Sequence, residues 1–182
     1  MLAAVMREWG GQTDLWVFAY ASLIWRPEFE FAEERSATLP GYHRALKMWS
    51  SLNRGTPECP GLVFGLLPGG SCKGVAFRLP QDQVATALAA LWAREMPNGV
   101  YDPKWLRCHS ALGDVRALAF TLSKCSPSHT GVLTEDRYRQ IFSNACGRYG
   151  STRDYAQLTY DKLRTLGIHD HALGKLLQLV SR

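Results

Sequence analysis

The sequence predicts an α+β fold: a small curled sheet or barrel of about six strands, flanked by helices and finished by a C-terminal αα-hairpin. Three observations lead there. Strand-like apolar segments dominate the first two thirds of the chain, and helix-period stripes dominate the end. Several strand-like segments are joined by Gly/Pro turns such as Pro68-Gly69-Gly70. The last two helical stripes are separated only by Gly167-Ile168-His169. Segregation of strands from helices argues against a doubly wound parallel sheet, which needs them to alternate. At 182 residues, 46% of them apolar and with no low-complexity stretch or internal repeat, the chain is expected to form a single domain over residues 1–182.

The expected strands are Leu15 to Tyr20, Tyr42 to Trp49, Gly61 to Leu67, Gly74 to Leu79, Trp105 to Cys108 and Val115 to Leu122. The first helix is placed over Gln81 to Glu95, where Val84, Leu88 and Leu91 recur at helical spacing with Trp92 beside them. Pro97 and the Asn98-Gly99 pair end it, because proline disfavours helical geometry in the residue before it and Asn-Gly favours a turn. Helices follow at Thr134 to Cys146, stopped by Gly147, and at Arg153 to Leu166 behind a Ser151-x-x-Asp154 cap. The last, Asp170 to Val180, carries Leu173, Leu176, Leu177 and Val180 on one face.

Two places hold the candidate chemistry. Val17 to Pro27 is an apolar β-favouring run that breaks into small residues before Trp25-Arg26-Pro27. Small side chains at a strand end let backbone N–H groups approach an anion, so Ala19, Tyr20, Ala21, Ser22, Leu23 and Ile24 form a candidate cradle. From this segment alone an ordinary core strand and turn serve as well. The second is Glu95, eleven residues beyond Val84, which at about 100° per residue returns to within about 20° of the same direction. A carboxylate therefore continues the apolar stripe, and such groups are seldom enclosed without a partner or a task; from this segment alone, a glutamate at a frayed helix end that bends to water or pairs with a nearby arginine serves as well.

Other chemistries find no support. The chain has no G-x-S-x-G, G-x-x-x-x-G-K-[ST], G-x-G-x-x-G or H-E-x-x-H pattern. Its five cysteines include no C-x-x-C pair, and Cys108-His109 stands isolated, so reduced structural thiols are expected rather than a metal site or a Cys-His nucleophile. The net charge of +5 is spread singly among acidic residues, which gives no nucleic-acid stripe. Met1 to Val5 is too short an apolar stretch for a signal peptide and no run is long enough to span a bilayer, so a cytoplasmic protein without membrane partners is expected.

The chain resembles the gamma-glutamylcyclotransferases, and within them the ChaC-like branch that acts on glutathione. Val17 to Pro27 is similar to that family's strand, Y-G-S-L loop and W-R-P continuation. Gly41-Tyr42-His43-Arg44, Asn53-Arg54-Gly55, Pro60 to Val63, Gly74 to Phe77, Arg94-Glu95, Gly99-Val100-Tyr101, Ala117 to Phe120 and the helix around Tyr155 continue the similarity in order, over about residues 15–180. The resemblance implies a small barrel flanked by helices, a small-molecule substrate, and no metal or organic cofactor; a monomer is the favoured state. It also implies a reaction in which the substrate's own α-amine attacks its γ-carbonyl, giving 5-oxoproline and, from glutathione, cysteinylglycine. Glu95 then carries the proton, and the amides of Ala19 to Ile24 hold the charged glutamyl end.

Two departures stand out. Ala21 replaces the family's glycine, which costs about 1–2 kcal/mol if that position needs a positive φ. His129 and Thr130 stand where the family commonly has a tyrosine and a leucine, so the substrate range is open and Tyr101 or Tyr138 is a candidate replacement. Two alternative readings remain: a cyclotransferase of the same fold acting on another gamma-glutamyl amide, and a non-catalytic relative that keeps the pocket.

Overall fold

The computed structural model describes residues 1–96 and 99–181; Pro97 and Asn98, where the sequence places the helix-ending proline and part of a turn, lie outside the described residues. In chain order the elements are α1 (Leu2–Trp9), β1 (Leu15–Ala19), α2 (Ser22–Trp25), β2 (Glu33–Ser50), β3 (Gly61–Leu79), a 3-10 turn (Gln81–Gln83), α3 (Val84–Glu95), β4 (Asp102–Ser110) and β5 (Val115–Thr121). They continue with α4 (Glu135–Asn144), the two-residue pair β6 (Cys146–Gly147) and β7 (Gly150–Ser151), α5 (Thr152–Thr165) and α6 (His171–Val180). Among the described residues, β1 to β5 close into a barrel in the order β1-β3-β2-β4-β5. The α+β class, the flanking helices and the α5–α6 hairpin agree with the sequence.

The chain divides into two compact units, Met1–His43 with Leu66–Ser123, and Arg44–Gly65 with Lys124–Arg182. In the first, β1 runs antiparallel to β3, from Leu15 opposite Leu79 to Ala19 opposite Val75, and parallel to β5 at Trp16 and Val17. Strand β4 pairs antiparallel with β5 from Asp102 opposite Thr121 to Cys108 opposite Val115. Both faces of β1 and β5 are covered: Val17, Phe18, Ala19 and Ala117 through Phe120 are all buried. Such continuous apolar strands are what a barrel interior with a helix outside demands. Gly74 is required here, since a Cβ at that position would stand 2.3 Å from the Ala19 carbonyl oxygen.

The second unit is held by α5. Tyr155 stacks at 5.4 Å on Phe64 and its hydroxyl accepts the Phe64 amide, while Thr152 Oγ1 accepts the Leu62 amide at 2.9 Å. Ser151 caps α5 by accepting from the Asp154 amide at 3.0 Å, and Asp170 caps α6 by accepting from Leu173 at 2.9 Å. The Ser151 cap follows the sequence expectation, and the Asp170 cap adds to it. Asp170 also takes two N–H bonds from Arg44, Nε at 3.0 Å and Nη2 at 2.8 Å, so β2 is tied to the start of α6.

Several boundaries differ from the sequence reading. Gly61 to Leu67 and Gly74 to Leu79 are one strand, so the barrel has five strands rather than about six. Gly69 and Gly70, at φ +104° and +73°, bend the strand without ending it. Strand β2 likewise begins at Glu33, well before Tyr42, and passes through Gly41 at φ +80°. Helix α4 stops at Asn144 because Cys146–Gly147 pairs with Gly150–Ser151. Helices α1 and α2 are additions; α1 is too short to show a clear period, and α2 is a single turn.

Candidate functional site

Strand β1 delivers Ala19 at its end, and Tyr20 and Ala21 lead directly into α2. Tyr20 is buried and its hydroxyl donates to the Phe120 carbonyl at 3.0 Å, which fixes the turn to β5. Inside the turn the Ile24 amide donates to the Ala21 carbonyl at 2.9 Å and the Arg26 amide to Ser22 at 2.8 Å. Among the described residues, the amides of Ala21, Ser22 and Leu23 donate to no protein acceptor. Ala21 sits at φ −142°, so alanine replaces the family's glycine without entering the left-handed region.

Helix α3 ends on Glu95. Val84, Ala87, Leu88 and Leu91 are buried, and the stripe they form carries the Glu95 side chain, 16% exposed, into the same enclosure. Trp92, one turn earlier, packs edge-on against Phe120 at 5.6 Å, and Tyr101 approaches the same ring at 6.3 Å. Phe120 thus joins the two candidate segments: its carbonyl holds Tyr20 and its ring supports the last turn of α3.

One oxygen of Glu95 lies 3.2 Å from Arg94 Nε. Arg94 Nη1 also donates to Glu28 at 2.8 Å and to the Arg26 carbonyl at 2.6 Å, and Glu28 pairs with the Arg26 guanidinium. Burial pushes the Glu95 carboxyl above the usual carboxylate range; Arg94 pulls it back down and Glu28 adds a smaller upward push. A carboxyl raised above the ordinary carboxylate range is better matched to both accepting and returning a proton than an exposed glutamate is.

The remaining candidates fall elsewhere. His129 and Thr130 belong to the second unit, where Met48 bridges His129 and the Thr130 amide donates to the Lys47 carbonyl at 3.0 Å. Tyr138, in α4, is partly buried, which raises its phenol above the usual range. Cys108 is buried and its thiol is pushed up to about 12, the range of an inert core cysteine rather than a nucleophile. No group of three or more metal-ligating side chains occurs among the described residues, and no described helix is long and apolar enough to cross a membrane. A cavity of about 520 Å³ lies between α1 and β4, lined by Met1, Val5, Glu8, Lys104 and Trp105 among others, and contains neither Glu95 nor the turn.

Sequence reasoning missed Glu28 and the shared role of Arg94, because 66 residues separate them and no pattern links a loop carboxylate to a helix end. The only available signal was the adjacency of Arg94 to the already suspect Glu95.

The model of the ChaC-like protein family matches residues 15–182. The chain is similar to the glutathione-specific gamma-glutamylcyclotransferase of Escherichia coli strain K12, 34% identical over 184 residues, covering 100% of this chain and 79% of the relative. It is also similar to the human glutathione-specific gamma-glutamylcyclotransferase 1, 30% identical, covering 87% of this chain and 73% of the relative. In fold it matches a crystal structure of the yeast gamma-glutamyl cyclotransferase specific to glutathione, with a TM-score of 0.84, 19% identity, and coverage of 93% of this chain and 96% of that one.

Proposed function

The chain belongs to the ChaC-like family, and from that premise we propose that it is a gamma-glutamylcyclotransferase that cleaves glutathione to 5-oxoproline and cysteinylglycine. The observation that carries the reading is Glu95: an enclosed carboxyl at the end of α3, raised by burial, joined through Phe120 to a turn with open amides.

The reaction needs no protein nucleophile. The substrate's α-amine attacks its own γ-carbonyl carbon, a carbon–nitrogen bond closes the five-membered ring, and the γ-amide bond to the cysteinyl nitrogen breaks. Holding the glutamyl part in its ring-closing conformer contributes up to about 7–11 kcal/mol through effective molarity. Ionised Glu95 takes a proton from the α-ammonium group and returns it to the departing nitrogen, and the second proton that the ring nitrogen sheds as the lactam forms ends on the released amine, which leaves as an ammonium. Of the amides expected from Ala19 to Ile24, Ile24 is spent on the Ala21 carbonyl and Ala19 lies in the β1–β3 pairing, so those of Ala21, Ser22 and Leu23 bind the glutamyl carboxylate and offer donors to the oxyanion that develops on the γ-carbonyl. A general base between these roles must start deprotonated, so the rate rises with pH through the Glu95 titration.

Incubating the protein with glutathione and following 5-oxoproline and cysteinylglycine by NMR tests the assignment. Equimolar release of both is expected. Release of 5-oxoproline only from other gamma-glutamyl amides moves the substrate, and release from none of them refutes the activity.

A further inference from the structure

We propose that Arg94 is a positioning residue for this reaction: it holds the Glu95 carboxylate to the Arg26–Glu28 segment that follows α2 through a single shared guanidinium. The inference rests on the reading of Glu95 as the proton carrier and adds to it.

Three features point to this role. The Arg94 guanidinium serves three acceptors from two distant segments: Glu95 at 3.2 Å through Nε, and Glu28 at 2.8 Å and the Arg26 carbonyl at 2.6 Å through Nη1. Its planar fork makes such sharing possible, and a lysine ammonium cannot reproduce it. The second feature is Glu28 itself, at φ +57°, the one non-glycine residue at positive φ among the described residues. A side chain that is not glycine occupies that conformation only when its surroundings fix it, and here Arg26 and Arg94 grip its two carboxylate oxygens. The third is the gradient of enclosure: Glu28 is 42% exposed, Arg94 21% and Glu95 16%. The guanidinium lies between an outer carboxylate, which solvent screens, and an inner one, which it does not.

The same sharing has an electrostatic consequence. Arg94 favours ionised Glu95 and Glu28 opposes it. Other charges near α3 are otherwise placed: Glu8 of α1 pairs with Arg116 of β5, Arg7 sits in the last turn of α1, and Asp82 precedes α3 roughly 20 Å from Glu95 along its axis. Removing Arg94 or Glu28 must therefore move the Glu95 titration in opposite directions.

The test measures kcat and KM for glutathione against pH in Arg94→Gln, Arg94→Lys, Glu28→Gln and Glu95→Gln. Arg94→Gln should lower kcat by about tenfold to a hundredfold with little change in KM, because orientation is lost while the substrate's own contacts remain. Its acidic limb should move to higher pH. Glu28→Gln should move that limb to lower pH, since a negative charge is gone and Arg94 is left to Glu95. Arg94→Lys should keep the limb near its wild-type position but recover only part of kcat. Limbs that stay fixed, or that move the same way in Arg94→Gln and Glu28→Gln, overturn the proposal. Should Arg94→Gln fail to fold, the downward shift in Glu28→Gln decides alone. An active Glu95→Gln defeats the assignment of Glu95, whereas an inactive Glu95→Gln with unmoved limbs defeats only the role of Arg94.

Discussion

Removing the Asp170 carboxylate should be among the most damaging single changes in the second unit. Asp170 makes two kinds of contact at once: Oδ2 takes both Arg44 N–H groups, and Oδ1 caps α6 through Leu173. The Arg44 side chain is only 4% exposed and that of Asp170 14%, so solvent screens the pair weakly. Taking one partner from a buried pair costs about 3–5 kcal/mol, and losing an N-cap about 1 kcal/mol more. Asp170→Ala should therefore lose about 4–6 kcal/mol in urea unfolding followed by circular dichroism. For a chain of this length that corresponds to a Tm lower by about 10–20 °C. Asp170→Asn keeps a capping oxygen and should recover about 1 kcal/mol of that loss, leaving about 3–5 kcal/mol for the broken pair. Arg44→Met combined with Asp170→Ala should be less destabilised than Asp170→Ala alone, because no buried cation then lacks its carboxylate. An Asp170→Ala protein within about 1 kcal/mol of wild type, or a double variant worse than the sum of the singles, refutes the clamp.

Three further outcomes follow from local geometry. Gly61→Ala puts a Cβ 2.0 Å from the Arg54 carbonyl oxygen and 2.6 Å from Thr152 Oγ1, so it should cost about 3 kcal/mol or more, and a urea midpoint equal to wild type contradicts it. Ala21→Gly should leave stability within about 1 kcal/mol of wild type, because glycine adds disorder to the unfolded chain while φ −142°, ψ −122° is a pair that alanine holds no better than glycine; a larger change in either direction contradicts this. Glu95→Gln should raise the Tm at neutral pH. Burial makes the folded protein bind the Glu95 proton more tightly than the unfolded chain does, so stability is highest below the ordinary glutamate value of 4.5 and falls as pH rises through the raised folded value. Glutamine removes that loss, so the two melting curves should converge in acid; a gap that instead widens in acid reverses the sign.

The architecture was legible where one segment carried its own signal. The α3 stripe, the Ser151 cap and the α5–α6 hairpin are written in spacing and cap chemistry over a dozen residues or fewer, and the structure follows them. Glu95 was visible for the same reason, being in phase with Val84, Leu88 and Leu91. The strand count was not, because Pro68-Gly69-Gly70 reads as a turn whether the strand ends there or bends and continues. Contacts between distant segments were equally hidden. Arg44 and Arg54 stand in short family-like motifs whose spacing does not tell what they touch; Arg44 clamps Asp170, and Arg54 is buried with its guanidinium 4.8 Å over Tyr155 and bonded to the Tyr149 carbonyl. Glu28 carried no signal at all, since its meaning depends on an arginine that only the fold brings near.

The central claim is that Glu95 moves the proton, and one comparison bears on it most directly: glutathione turnover by wild type and by Glu95→Gln, with binding measured on the same samples. Glutamine keeps the size and polarity of the side chain but accepts no proton. The account predicts a folded variant that still binds glutathione while 5-oxoproline release falls by about 10²-fold or more. A folded Glu95→Gln protein that turns glutathione over at the wild-type rate contradicts it.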